Sequence, residues 1–232
     1  MAKYIDELAV IFPFDSNYYA DTDLSVRFVG HPFVHDKESP LVAYDPSGPI
    51  LLLPGSRKKP VANIFPLLLE GYRRYQHDNN DRDAIVVYPS DDIRRIIERT
   101  KHTPYLLVPS GECVAASAVL TSMGTMSLRC ALAGVPGAIV YRTDPITYLL
   151  GRLLVKVPLG MANFILGETM YPEYIQGAAS PARLAKQLYS SIHDREWISK
   201  SRMRAERLRS LLSISSQGSV GEWFAENLNL AQ

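Results

Sequence analysis

The sequence predicts an α/β fold: a Rossmann-like parallel sheet with helices on both faces, followed by a helical C-terminal tail. Short apolar runs recur along the first 141 residues, and several are continuous, which is typical of parallel strands buried on both faces. Segments of helical period lie between them, as in chains that alternate strands with covering helices. After Tyr141 the pattern becomes mainly helical. At 232 residues and 47% hydrophobic content, the chain can bury such a core.

The elements follow from these two periodicities. The apolar runs predict strands at Leu8 to Phe12, Val26 to Val29, Ile50 to Leu53, Ala84 to Val87, Tyr105 to Val108, Ala118 to Thr121 and Ala138 to Tyr141. The helical period predicts helices at Val61 to Gln76, Asp91 to Arg99, Thr125 to Ala133, Pro181 to Ser191, Glu196 to Ile214 and Glu222 to Leu228. The stretch from His35 to Gly48 is rich in Asp, Ser and Pro, which predicts a linker or an exposed loop.

Composition excludes several classes of protein. A formal net charge of +1 gives no overall reason to expect nucleic acid as a partner, so any anion site must be local. Cys113 and Cys130 have no CxxC spacing, and we expect two free, buried thiols in a reducing compartment. The mixed polar start of the chain is unlike a signal peptide, and charges and a proline interrupt the most apolar window, Ile146 to Leu166.

The first candidate site is the loop after the strand at Ile50 to Leu53. In doubly wound folds a ligand lies beyond the carboxyl ends of the strands, where loops lead into helix N-termini. Here Gly55 would let the backbone approach a ligand, Ser56 could donate a hydrogen bond, and Arg57 could hold a phosphate. An ordinary strand-to-helix turn is the alternative.

The second candidate site is the loop after the strand that ends at Thr121. Ser122, Gly124 and Thr125 precede a predicted helix, whose free N–H groups and positive dipole end would face a ligand above the sheet. Ser122 or Thr125 could instead serve only as the N-cap. Two such loops at strand ends of one domain favour a ligand that carries a diphosphate.

Two further patterns resemble metal sites, and we expect neither to be one. The spacing of Asp21-Thr22-Asp23 fits a metal–nucleotide pair, but turn-forming residues surround it, and a solvated turn is favoured. His31 and His35 lie four residues apart, but Pro32 disfavours a helix through both and no third ligand is near in sequence.

Two basic segments are interpreted from their charge pattern. Residues 145–166 combine an apolar face with Arg152 and Lys156, which is typical either of a helix on an anionic membrane surface or of a core helix with basic ends. The basic run between Lys200 and Arg209 contains Glu206, so a solvated helix face is expected there.

Six ordered motifs, between about Leu8 and Ser191, resemble the second half of lipid-A-disaccharide synthase, a GT-B glycosyltransferase family of lipid A biosynthesis. They are IFPFDSNYY, VRFVGHP, ILLLPGSRKK, TSMGTMSLRCALAGVPGAIVYRTDP, VKVPLGMANFILG and YPEYIQ. By this resemblance, residues 1–42 would form the end of the N-terminal-half domain and a linker. Residues 43–232 would form the C-terminal, UDP-sugar-binding Rossmann-like domain with its helices.

The resemblance implies an inverting transfer of 2,3-diacylglucosamine from UDP to 2,3-diacylglucosamine 1-phosphate, with no metal or other cofactor. It implies that the general base lies in the N-terminal half, most of which this chain lacks. The donor-binding residues that it implies are Gly55, Ser56, Arg57, Gly124, Thr125, Ser127, Asn163, Glu173 and Gln176, to which the loop argument adds Ser122. His31 would fall at the interdomain crossing.

The expected partners are the two sugar substrates and either an N-terminal half domain or a second copy of the chain. The expected location is cytoplasmic, compatible with peripheral contact at the inner face of the bacterial inner membrane. Three departures from the family pattern keep alternatives open: Arg129 replaces a glutamate, Pro60 an acidic residue, and Ala162 a proline. A divergent, non-catalytic UDP-sugar-binding or interaction module is the main alternative, and another GT-B enzyme of UDP-sugars is a third.

Overall fold

The computed structural model describes residues 4–35, 41–100, 105–143, 158–213 and 220–229. The chain divides into two compact units. The smaller unit consists of Met1–Ser39 together with Arg207–Gln232, and the larger unit is Pro40–Glu206. The domain assignment made from the sequence, with its boundary after residue 42, stays a prediction.

Strands and helices alternate along most of the chain. The strands are β1 (Glu7–Val10), β2 (Ser25–Phe28), β3 (Val42–Tyr44), β4 (Ile50–Leu53), β5 (Ala84–Tyr88), β6 (Leu106–Pro109), β7 (Val114–Ala116), β8 (Ala118–Thr121), β9 (Gly137–Tyr141) and β10 (Glu173–Ile175). The helices are α1 (Pro32–His35), α2 (Lys58–Asn79), α3 (Asp91–Glu98), α4 (Thr125–Leu132), α5 (Met161–Leu166), α6 (Pro181–His193), α7 (Arg195–Leu212) and α8 (Val220–Asn229).

The larger unit is built on a six-stranded parallel sheet in the order β10-β9-β8-β4-β5-β6. All four residues of β4 and all four of β8 are buried, as expected for central strands that helices cover on both faces. The strand order reverses direction between β4 and β8, because the chain first builds outward to β5 and β6 and then returns to the other side. Beside the main sheet, β3 and β7 form a separate parallel pair.

Helix α2 provides much of the core through Phe65, Leu68 and Tyr72, all fully buried. Burial of each such side chain contributes about 1.5–3 kcal/mol. Gly71 allows α6 to approach closely, since a Cβ at this position would lie 2.7 Å from the Cβ of Leu184. The helix ends at Asn80, which adopts the left-handed conformation and donates its N–H to the Gln76 carbonyl.

The smaller unit contains the parallel pair β1–β2 and a 3-10 turn at Asp15–Tyr19. It also contains α1, α8 and the end of α7. Within it, the Arg27 guanidinium pairs with the Glu226 carboxylate on α8. Among the residues that the structure describes, no helix combines the length and the apolar character needed to cross a bilayer.

The predicted fold class is confirmed, and each of the seven predicted strands is present with ends shifted by two residues at most. The sequence missed β3, β7 and β10, each of three residues, and β3 lies inside the predicted loop from His35 to Gly48. It also missed the short α1, which starts at Pro32 and leaves His31 outside the helix. α5 forms the last six residues of the helical segment interpreted at 145–166, the start of which lies outside the described residues. Cys113 was expected to be buried and is exposed, whereas Cys130 is buried as expected.

Candidate functional site

A pocket of about 200 Å³ lies at the carboxyl ends of β4, β5 and β8, where the strand order reverses. This position is where ligands bind in open α/β sheets. Its wall includes Gly55 and Ser56 from the first predicted loop, together with residues 121–127 from the second. We call it the switch-point pocket. The structure therefore brings six predicted site residues together, namely Gly55, Ser56, Ser122, Gly124, Thr125 and Ser127.

The two loops touch each other. The Ser122 N–H donates to the Leu53 carbonyl oxygen at 2.8 Å, which continues the pairing of β4 and β8 into the loops. Gly55 has a φ of +107°, and a Cβ at this position would lie 2.8 Å from the Ser122 Oγ. Glycine is thus required at residue 55 both by backbone conformation and by the close approach of the second loop.

Helix α4 begins at the pocket with its first turn uncapped by any side chain. Gly124 is the N-cap with a φ of +149°, so neither Ser122 nor Thr125 serves as the N-cap considered from the sequence. The Ser127 hydroxyl is buried and donates to the Gly124 carbonyl oxygen at 2.6 Å, which stabilises the turn. Within the described part of the chain, the hydroxyls of Ser56, Ser122 and Thr125 have no protein hydrogen-bond partner and remain free for a ligand.

The charges at the helix N-termini favour an anion in this pocket. Asp and Glu are usual in the first turn of a helix because they neutralise the positive end of its dipole. α3 follows this rule with Asp91 and Asp92. α2 and α4, which begin at the two loops of the pocket, have no acidic residue in their first turns. Their dipole ends therefore stay available to a bound phosphate.

Arg57 lies beside the switch-point pocket but does not line it. It is the N-cap residue of α2, and its side chain is exposed. Among the described residues, its guanidinium has no hydrogen bond or ion pair with the protein. Its predicted contact with a phosphate would therefore break no hydrogen bond or ion pair within the described part of the chain.

Asn163 and Glu173 belong to a separate cluster, outside the lining of the pocket. The Asn163 Oδ1 accepts from the backbone N–H groups of Met170 and Tyr171, at 2.8 and 2.9 Å. Its Nδ2 donates to the Tyr171 carbonyl oxygen and to the Glu173 Oε1. Asn163 is 3% exposed, so these bonds satisfy a buried amide.

The Glu173 carboxylate also accepts from the backbone, with Oε2 bonded to the Leu159 N–H at 3.0 Å and Oε1 bonded to the Gly160 N–H at 2.9 Å. It therefore holds the segment that enters α5. Gln176 follows β10 and exchanges two hydrogen bonds with the backbone of Thr143, accepting at Oε1 and donating from Nε2. The predicted contacts of Asn163, Glu173 and Gln176 with the sugar donor stay predictions.

His31 lies in the smaller unit and is 4% exposed. Its Nδ1 accepts from the Phe33 N–H at 3.2 Å, and its ring contacts those of Phe12 and Phe33. The backbone N–H of His31 donates to the Leu212 carbonyl oxygen. These contacts describe a packed histidine within its own unit, and its interdomain role stays a prediction.

Other predicted features fall outside the pocket or outside the described residues. Asp21-Thr22-Asp23 forms an exposed turn in which the Thr22 hydroxyl donates to the Tyr19 carbonyl oxygen. Arg152 and Lys156 lie outside the described residues. Within the described ranges, no group of three or more His, Cys, Asp or Glu side chains is placed to hold a metal ion.

Sequence reasoning missed the part of the pocket wall that neighbouring strands supply. Val87 lies near the end of β5, Pro89 directly follows β5, and Ser110 directly follows β6. Their positions at or just after the ends of predicted strands are a signal that could have found them. Cys130 on α4 is fully buried, and this burial raises the pKa of its thiol to about 12, so it has none of the character of a nucleophile.

The comparisons with known proteins agree with this architecture. A family model described as lipid-A-disaccharide synthetase matches residues 1–226. The chain belongs to this family. It is 32% identical over 234 residues to a lipid-A-disaccharide synthase of Geobacter metallireducens, covering 91% of this chain and 59% of that protein. It is 28% identical to a lipid-A-disaccharide synthase of Nitrosococcus oceani, covering 96% of this chain and 62% of that protein.

This member of the lipid-A-disaccharide synthetase family therefore spans about 60% of the length of those curated relatives. Among solved structures, it is similar to the pneumococcal O-GlcNAc transferase in complex with UDP and GlcNAc, with a TM-score of 0.52 at 14% identity. That match covers 91% of this chain and 44% of the transferase chain. The likeness shows the fold alone, and it agrees with half of the GT-B architecture that the sequence predicts.

Proposed function

We propose that this chain supplies the UDP-sugar-binding half of a lipid-A-disaccharide synthase. The reaction transfers 2,3-diacylglucosamine from UDP to 2,3-diacylglucosamine 1-phosphate with inversion, giving the disaccharide and UDP. The supporting observation is the switch-point pocket, where two contacting loops present free hydroxyls beside two helix N-termini without acidic residues. Family membership supports the reaction, and the pocket supports the part in it that we propose for this chain.

The physical role of the pocket would be to stabilise the leaving nucleotide. When the bond between the sugar and the phosphate breaks, negative charge develops on UDP. Backbone N–H groups at the starts of α2 and α4 could donate to the diphosphate oxygens without reorganisation, as in other preorganised anion sites. The hydroxyls of Ser56 and Thr125 would add donors, and Arg57 would supply a positive charge at the edge.

The reaction also requires a base that takes the proton of the acceptor hydroxyl. We place this base in the part of the relatives that this chain does not match, because the chain covers about 60% of their length. Catalysis would then need that N-terminal half as a partner, because a second copy of this chain would lack the same part. We place the protein in the cytoplasm, where it would meet its acylated substrates at the inner membrane.

Titration calorimetry with UDP tests the pocket directly. We expect measurable binding by the unchanged chain and a loss of about 10- to 100-fold in affinity for Arg57→Ala, since a hydrogen bond to a charged group contributes about 1.5–3 kcal/mol. Arg74→Ala is the matched control, because Arg74 is an exposed cation on the same helix, and it should keep full affinity. No detectable UDP binding, with or without an added N-terminal half of a relative, would reject the proposal.

The non-catalytic alternative rests on two residues that depart from the family pattern. Arg129 lies in α4, and Pro60 lies in the first turn of α2. The resemblance implies a glutamate at the first position and an acidic residue at the second. The double variant Arg129→Glu with Pro60→Glu separates the two functions. UDP affinity that stays negligible in this variant would support a divergent remnant. Where the unchanged chain binds UDP, transferase activity on addition of an N-terminal half separates the enzyme from a module that only binds UDP-sugar.

A further inference from the structure

A second concave site lies in the larger unit, between α2 and α3 and apart from the switch-point pocket. It is an open groove of about 500 Å³, within the range of ligand-binding clefts. Its apolar lining includes Ala62, Phe65 and Ile96, and its charged lining residues are Lys58, Lys59 and Arg99. We call it the α2–α3 groove.

The floor of the groove is formed by a buried side chain, and the space above it stays open because the neighbouring side chain on α2 is small. Phe65 is fully buried, with its ring packed edge-on against that of Tyr105, so it forms a rigid base. Ala62 is exposed and has too short a side chain to fill the space toward Ile96. An apolar gap of this kind leaves its lining without packing partners, which favours an apolar occupant.

The rim of the groove carries more positive charge than the neighbouring acidic side chains neutralise. Lys58 pairs with Asp92 at 2.7 Å, and Asp92 lies 3.6 Å from Arg95 as well. The nearby Glu98 is paired with Arg94 on α3. Among the described residues, Lys59 and Arg99 have no ion-pair partner.

The position of the lysines adds to this charge. Lys58 and Lys59 occupy the first turn of α2, where the helix dipole is already positive and a cation is unfavourable. An anion at this place would offset both the dipole and the side-chain charges. The apolar floor and the cationic rim together fit an amphiphilic ligand that has an apolar tail and a negatively charged headgroup.

We propose that the α2–α3 groove rests on an anionic phospholipid surface, with one acyl chain in the groove and headgroup phosphates against Lys58, Lys59 and Arg99. A lipid fits better than a peptide because, among the described lining residues, Thr100 alone is neutral and polar, so an incoming backbone would find few hydrogen-bond partners there. Basic residues beside an apolar strip are the usual means of attachment to anionic leaflets. This site is independent of the proposed function.

The test is cosedimentation of the full chain with lipid vesicles, in the absence of nucleotide. We expect binding to vesicles that contain phosphatidylglycerol, weak binding to pure phosphatidylcholine, and a decline as salt is raised. The triple variant Lys58→Gln, Lys59→Gln and Arg99→Gln should bind about 100-fold more weakly, since each basic residue near such a surface contributes about fivefold. The control triple Arg74→Gln, Lys186→Gln and Arg195→Gln has the same net charge and removes exposed cations that do not line the groove, so it should bind normally.

A second pair of variants tests the apolar floor. Ala62→Glu places a carboxylate in the groove and should weaken binding at least tenfold, while Asn63→Glu, the next exposed residue on α2, should leave binding within about twofold. Equal losses in both triples, or equal effects of the two glutamates, would overturn the proposal in favour of nonspecific charge attraction. Binding of an acidic peptide but of no vesicle would overturn it too. UDP titration of the same variants separates this result from the proposed function.

Discussion

Gly55→Ala tests the contact between the two loops of the switch-point pocket, and Gly111→Ala is its matched control. The two glycines have nearly the same φ, +107° and +108°, so alanine should be strained equally at both, by about 1–3 kcal/mol. At Gly111 a Cβ would meet nothing within 4 Å, but at Gly55 it would lie 2.8 Å from the Ser122 Oγ. We therefore expect Gly55→Ala to lower the free energy of unfolding by about 1–3 kcal/mol more than Gly111→Ala does.

Urea unfolding followed by circular dichroism measures this difference. Adding Ser122→Ala to Gly55→Ala should recover part of the extra loss, because the nearest remaining atom, the Ser122 Cβ, lies at 3.7 Å, an ordinary contact. The same pair should differ in UDP titration, with affinity lost in Gly55→Ala and kept in Gly111→Ala. Equal losses of stability in the two glycine variants, with no recovery in the double variant, would refute the close approach of the loops.

Two further predictions concern buried groups outside the pocket. Asn163→Ala should lower the free energy of unfolding by about 3 kcal/mol, because the N–H groups of Met170 and Tyr171 lose their acceptor, and Asn63→Ala on the exposed face of α2 should change it little. The Cys130 thiol ionises above pH 9 in the unfolded state, whereas burial raises its pKa to about 12 in the folded state. The unfolded state then binds fewer protons, so stability should fall by about 1.4 kcal/mol per pH unit between these values, and Cys130→Ala should flatten this slope in urea titrations.

The sequence predicted the central architecture because fully buried parallel strands leave an unmistakable pattern. β4 and β8 are continuous apolar runs, and helical periods separate them from the strands that follow. The three-residue strands β3, β7 and β10 escaped because so short a segment shows no period. Proline was a misleading signal at the start of α1, where residue 32 occupies the first helical position that tolerates it.

The location of the switch-point pocket was predictable, whereas the hydrogen bonds of its individual residues were not. The carboxyl ends of parallel strands meet at one edge, which brought Gly55 and Gly124 to the same pocket from a distance of about 70 residues in sequence. Nothing in the sequence distinguishes a serine that faces a ligand from one that bonds its own turn. The Ser127 hydroxyl donates to the Gly124 carbonyl oxygen, while the Ser122 hydroxyl has no hydrogen-bond partner in the part of the chain that the structure describes.

The difference between side chains that bond the protein and side chains that do not decides which variants can separate a working sugar-donor site from a divergent remnant. Asn163 and Glu173 hold the backbone around α5, so selection for the fold alone would preserve them, and the motif resemblance predicted for them is expected under both hypotheses. Arg57 and Ser56 are exposed and bond to no other part of the described chain. Their substitution should therefore leave the fold intact, so loss of UDP affinity without loss of stability in Arg57→Ala and Ser56→Ala is the expected signature of a functional pocket.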